Sequence, residues 1–321
     1  MEIIISHKSA LEYWRLHRNV RMSDFAKQRR KSPPLSLPYS ALMRDLASLG
    51  LSHPISVLVG RKNAQWKSKV VRIRVHTGKT PDGCFVSIGD GVDVSAPSFC
   101  FFQMAGELPL VKLIELGYEL CGSYALPVKS EYSPGQEYAD KTTYGHQQLT
   151  STKALKAFTT RMEGVKGQKK ARRALRYIAD GSASPMETIL SMLLTLPHKL
   201  GGYGLPAPKL NKRIDPGKAA RQRSGKTHYK CDLLWPKAGF AVEYDSDFYH
   251  SNTERIVRDS KKRLDLIARD ITVITLTSEQ LRSTTEFEAL AKLLAGKLHR
   301  QFRYKNPQFL QARRELRKLL L

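Results

Sequence analysis

Tyr229-Lys-Cys-Asp-Leu-Leu-Trp235 and Phe240-Ala-Val-Glu-Tyr-Asp245 are two strand-like runs, and the four residues between them, Pro236-Lys-Ala-Gly239, have turn chemistry. Such a spacing predicts a β-hairpin. If Pro236 to Gly239 form the loop, Trp235 pairs with Phe240 and Asp232 comes to lie opposite Glu243, with Cβ atoms roughly 5 Å apart. Two carboxylates opposed on one face repel each other, so the pair calls for a cation between them. Period-two alternation carries Asp245 to the face of Glu243, while Ala241, Val242 and Tyr244 supply apolar contacts in a mostly buried strand. A third acid can therefore reach the cluster.

A further carboxylate stands upstream. Ser184-Pro185-Met186-Glu187 combines an N-cap residue, proline at the first helical position and an acid in the first turn. The helix predicted from Ser184 carries Ile189, Leu190, Met192, Leu193, Leu194 and Leu196 around most of its circumference, as expected of an element buried on several sides. Glu187 has a plain role as a dipole partner, and becomes a ligand candidate when other acids converge on it. Carboxylates grouped in this way suit phosphodiester hydrolysis, because Mg²⁺ held by them can activate water and neutralise a leaving oxyanion.

Composition points to the same substrate. The 321 residues contain 54 lysines and arginines against 29 acids, a net charge of +25. An excess of that size favours a polyanion, with nucleic acid as the natural partner. A basic stripe of Lys166, Lys169, Lys170, Arg172, Arg173 and Arg176 is suited to phosphates, although a solvated linker helix would look the same. Cys84, Cys100, Cys121 and Cys231 are widely spaced, which argues against a zinc ribbon or a disulfide framework. No stretch approaches the roughly 20 apolar residues of a membrane span. A cytoplasmic protein without a membrane partner is expected.

The ordered set Asp232-Leu-Leu-Trp-Pro-Lys, Ala241-Val-Glu-Tyr-Asp-Ser, His250 and Arg258-Asp259 through Arg263 resembles the very-short-patch-repair-endonuclease-like branch of the PD-(D/E)XK nucleases. The resemblance covers about 184 to 285 and includes Ile271-Thr-Val-Ile-Thr-Leu276 as a later strand. It implies that Asp232 and Glu243 bind the catalytic Mg²⁺ or Mn²⁺, that Glu187 assists, and that His250 positions water or phosphate or acts as an acid. The lysine that names the motif is replaced by Asp245, as is common in this branch, so its electrostatic help must come from a second metal, His250 or Arg263. Arg263 stands four residues from Asp259 on a predicted helix and is also a candidate nucleic-acid contact.

A weaker resemblance links residues about 51 to 125, with Val94-Ser-Ala-Pro97 leading into Phe101-Phe-Gln-Met-Ala105, to the C-terminal region of AbiEi-type antitoxins. It implies regulation, a protein partner or nucleic-acid contact.

The expected organisation is a basic arm at 1–39, an α+β domain at 40–126, a connector with a basic helix at 127–180, an α/β restriction-endonuclease-like core at 181–296 with a mixed sheet flanked by helices, and a basic C-terminal helix at 297–321. The expected function is metal-dependent cleavage of DNA, with RNA left open, in phage defence or mobile-element biology. The alternative is a non-catalytic DNA-binding regulator of the toxin–antitoxin type built on an inactive nuclease fold.

Overall fold

The structure is a computed structural model, and it describes residues 3–19, 26–27, 32–35, 46, 49–61, 68–78, 80–89, 91–128, 141–217, 221–222, 225, 227–245, 253–301 and 307–321. The protein is a mixed α/β chain whose mixed sheets are flanked by helices, divided into compact units Met1–Asp180 and Gly181–Leu321.

In the first unit, β1 (Ile3–Ile5) leads into α1 (His7–Leu16), and β2 (Ala26–Lys27), β3 (Ile55–Val59), β4 (Val71–Val75), β5 (Phe85–Gly89) and β6 (Val92–Ser95) complete a sheet in the order β2-β5-β6-β1-β3-β4. For residues 3–19 the expectation of a basic arm is therefore corrected. Ile3, Ile4 and Ile5 are essentially inaccessible in the middle of that sheet, because a short apolar run with neighbours on both edges suits a central strand. The nearby basic residues also turn inward. Arg15 grips Glu119 with two hydrogen bonds of 2.8 and 2.7 Å, and Arg18 donates to the carbonyls of Glu119, Gly122 and Tyr124. Residues 40–49, where the expected α+β domain begins, lie almost wholly outside the described residues.

Helices α2 (Pro97–Met104) and α3 (Leu110–Leu120) follow the sheet, then the short strands β7 (Tyr124–Ala125) and β8 (Thr143–Tyr144), then α4 (Thr152–Arg161) and α5 (Gln168–Ala174). The segment from about 150 to 178 is no connector. Leu155, Phe158, Met162, Ala171, Ala174, Leu175 and Ile178 are buried, and α4 and α5 pack on α2 and α3. Gly117 makes room for this, since a Cβ there would fall 2.2 Å from Ile178 Cδ1.

The second unit opens with α6 (Pro185–Thr195) and a four-stranded sheet of β9 (Lys209–Ile214), β10 (Tyr229–Trp235), β11 (Phe240–Asp245) and β12 (Thr272–Thr277), in the order β12-β11-β10-β9. Strand β10 is antiparallel to both neighbours, and β12 is parallel to β11 through the crossover helix α7 (Thr253–Ile267). The hairpin loop is one 3₁₀ turn at Pro236–Ala238 closed by Gly239, and Trp235 pairs with Phe240. Gly239 holds φ at +58°, and a Cβ there would sit 2.3 Å from the Asp270 carbonyl. Only glycine fits.

A short helix α8 (Ser278–Arg282) and a longer one, α9 (Thr284–Lys297), precede α10 (Pro307–Leu320). The last helix buries Phe309, Leu316 and Leu320 against the 3₁₀ turn at His198–Leu200 and against α6, so it is part of this unit's core. No described helix is long and apolar enough to cross a membrane.

Candidate functional site

Glu187 sits at the start of α6. Ser184 Oγ accepts the Glu187 N–H at 3.1 Å and donates to Glu187 Oε1 at 3.1 Å, the reciprocal pattern of a capped helix start. Its other oxygen accepts from the Ala183 N–H at 2.9 Å and from Asn211 Nδ2 at 2.6 Å. The carboxylate is 7% exposed, and burial raises its pKa against the lowering effect of these donors.

Asn211 marks an irregularity in the sheet. It stands in β9 at φ +48°, a conformation that asparagine tolerates better than most residues. Across from it, Cys231 and Leu234 share one core cluster with Ala241, Tyr229, Ile214 and Leu266, although strict alternation would send 231 and 234 to opposite faces. Asp232 lies at this break.

The β10–β11 ladder pairs Trp235 with Phe240, Leu234 with Ala241 and Leu233 with Val242, and Asp232 and Glu243 are the next residues beyond its last pair. There Asp232 Oδ2 accepts the Tyr244 N–H at 2.8 Å. The pKa of Asp232 is pushed up to about 7, by burial first and then by the negative charge of Glu187, with a smaller contribution from Glu243; the Tyr244 N–H and Lys262 pull the other way. The charges of Glu187 and Glu243 thus both act on Asp232.

Glu243 is held by a cation that the sequence reading missed. Lys262 Nζ on α7 forms an ion pair with Glu243 Oε1. The helix reaches the sheet because Leu266 is fully buried in the core cluster and Asp265 accepts from the Tyr229 hydroxyl at 2.6 Å. Lys262, one turn before Leu266, then shares their face. That i, i+3, i+4 spacing was the available signal. Cys231 lies beside the same pair, its thiol pushed up to about 12 by burial and then by the charge of Glu243.

The remaining candidates fall as follows. Asp245 is partly exposed at the end of β11, opposite Thr277. Arg263 Nη2 donates to Thr275 Oγ1 at 3.1 Å, and His250 lies outside the described residues. Lys166, Lys169, Arg172, Arg173 and Arg176 are exposed on or beside α5, whereas Lys170 turns inward to donate to the Leu108 carbonyl at 2.9 Å.

The donors in the acidic cluster are carboxylate oxygens, the type that hard divalent cations prefer. Among the described residues, however, no three His, Cys, Asp or Glu side chains are grouped tightly enough to hold an ion as they stand. Glu187 is taken up by Ser184, Ala183 and Asn211, and Glu243 by Lys262. Asp232 is the member whose negative charge is least compensated.

Compared with family models, curated proteins and solved structures, the chain matches none.

Proposed function

We propose that the second unit is a restriction-endonuclease-like domain that hydrolyses DNA phosphodiester bonds with Mg²⁺ or Mn²⁺. What supports the reading is that the charges of Glu187 and Glu243 both bear on Asp232, with Lys262 paired to Glu243 and Lys230 acting on Glu187. Such an arrangement carries an electrostatic cost in the free protein, and a divalent cation would relieve it. Asp232 and Glu243 would hold the ion, and Asp245 is near enough in sequence to complete the set. The metal supplies activated water and charge neutralisation when bound. Lys262 then does what the absent motif lysine would do, placing a positive charge at the strand that bears Glu243. Asn211 and Ser184 fix Glu187 at the edge of the cluster, where it raises the negative charge around Asp232.

The test is cleavage of plasmid DNA, mismatched duplex and RNA with Mg²⁺ or Mn²⁺. Asp232→Ala and Glu243→Ala are expected to lose cutting by at least about a hundredfold while retaining salt-sensitive binding. Cutting that survives both changes overturns the assignment. The hydrogen bonds that occupy Glu187 favour the second reading, a DNA-binding regulator on a nuclease-like platform. Under it, the wild-type protein binds DNA but cuts none of the substrates with either metal.

A further inference from the structure

The first unit carries a groove of about 430 Å³ between α4 and α5, lined by Lys156, Thr159, Thr160, Arg172, Leu175 and Arg176. Its construction is local. Helix α4 starts under the Ser151 cap and ends at Arg161; Gly164 at φ +77° and Gly167 at φ +98° let the chain reverse tightly; and α5 returns against it. Gln168 Nε2 donates to the Thr159 carbonyl at 3.3 Å and ties the two helices together. The buried faces of the pair hold Leu155, Phe158, Ala171 and Ala174, which leaves Lys156, Arg172 and Arg176 exposed along the opening.

Two observations set this groove apart from ordinary solvated charge. The first is that three cations, Lys156 on α4, Arg172 on α5 and Arg176 in the turn just after it, line one concavity, where fields from neighbouring charges add. The second is the hydroxyl of Thr159. That residue is 1% exposed and lines the groove, and its Oγ1 has no hydrogen-bond partner. A buried polar group left unpaired costs free energy, and a ligand acceptor entering the groove would remove that cost. The complementary ligand is an anion with acceptor oxygens, small enough to enter between two helices and repeated along a chain so that Lys156 and the two arginines are engaged together.

We propose that the α4–α5 groove binds the phosphodiester backbone of a nucleic-acid strand, with Lys156, Arg172 and Arg176 contacting phosphates and Thr159 donating to a phosphate oxygen. The contact is to backbone and carries no base specificity. It shares with the nuclease reading only the identity of the polymer, and it stands whether or not the acidic cluster cuts.

The test uses the full-length protein in EDTA, so that binding is read without cleavage. A labelled DNA strand and the matching duplex are titrated by fluorescence anisotropy over a series of salt concentrations. The groove variant combines Lys156→Gln, Arg172→Gln and Arg176→Gln. A charge-matched control combines Lys237→Gln, Arg314→Gln and Lys318→Gln, all exposed in the second unit. The groove variant is expected to flatten the slope of log K against log salt by about 2 to 3 and to weaken binding by about tenfold or more, while the control changes it less than about twofold. Thr159→Val is expected to weaken binding several-fold with folding stability unchanged or raised, because the orphan hydroxyl is gone. Equal losses in groove and control variants would overturn the proposal in favour of diffuse charge. So would two other results: inorganic phosphate competing as well as the strand, which marks a small-anion site, or groove variants that keep DNA binding and lose only anionic vesicles.

Discussion

Replacing Asp232 by asparagine should make the second unit more stable at neutral and alkaline pH. In the native protein the Asp232 carboxyl titrates near 7, against 3.8 for an ordinary aspartate. Between those values the folded state keeps a proton that the unfolded state has released, so stability falls as pH rises through that window. Below about pH 4 both states are protonated and the effect vanishes; above about 7 it is complete. A shift of that size corresponds to a ceiling of roughly 4 kcal/mol, and partial solvent access brings the expected value to about 2 to 4 kcal/mol. Asparagine can still accept the Tyr244 N–H, so the local structure has no reason to change. The measurement is the pH dependence of denaturant unfolding for wild type and Asp232→Asn, with the transition assigned by hydrogen exchange of the β10 and β11 amides. The difference should grow from near zero at acid pH to its plateau. Lys262→Met, which removes the cation facing Glu243, should move the wild-type midpoint further up. A difference between wild type and Asp232→Asn that is flat across the window would mean that Asp232 does not carry the strain assigned to it.

Two further outcomes follow from the packing. His7, whose pKa is lowered to about 3 by burial and then by Arg74 and His76, must stay neutral in the folded first unit; the unfolded chain takes up a proton below about 6.5, so stability is lost as pH falls from there. His7→Asn, which tolerates the φ of +52°, should therefore reduce acid lability in a thermal scan, and an unchanged acid limb would contradict the assignment. Gly239→Ala should destabilise the second unit by about 2 kcal/mol or more, because it places a Cβ 2.3 Å from the Asp270 carbonyl in a left-handed turn, and an unaltered denaturation midpoint would refute the turn's geometry.

The hairpin was legible in the sequence because turn chemistry and pairing are local: Pro236 to Gly239 fix the loop, and the loop fixes Trp235 against Phe240. The start of α6 was legible for the same reason, since Ser184, Pro185 and Glu187 act within a single helical turn. Strand β9 was hidden. Lys-Leu-Asn-Lys-Arg-Ile alternates poorly, and its kink at Asn211 answers to Glu187, far away in sequence. The ion pair of Lys262 with Glu243 depends on how α7 docks, which charge counting along the chain does not reveal. Basic residues misled at the other end. Arg15 and Arg18 looked like a solvent-facing arm, yet their partners are Glu119 and backbone carbonyls about a hundred positions on. The exposed cations of α5 could be seen as a stripe, but the groove they share with Lys156 exists only once α4 folds back alongside them.

The lysine that faces the acidic strand is delivered by a helix whose hold on the sheet depends on Leu266 and on the hydroxyl of Tyr229. Charge balance at the carboxylates is thus a by-product of tertiary assembly. A chain in which that helix has peeled away would present bare negative charge to an approaching phosphate and repel it. The pairing of Lys262 with Glu243 thus exists only once the domain has closed over its own core.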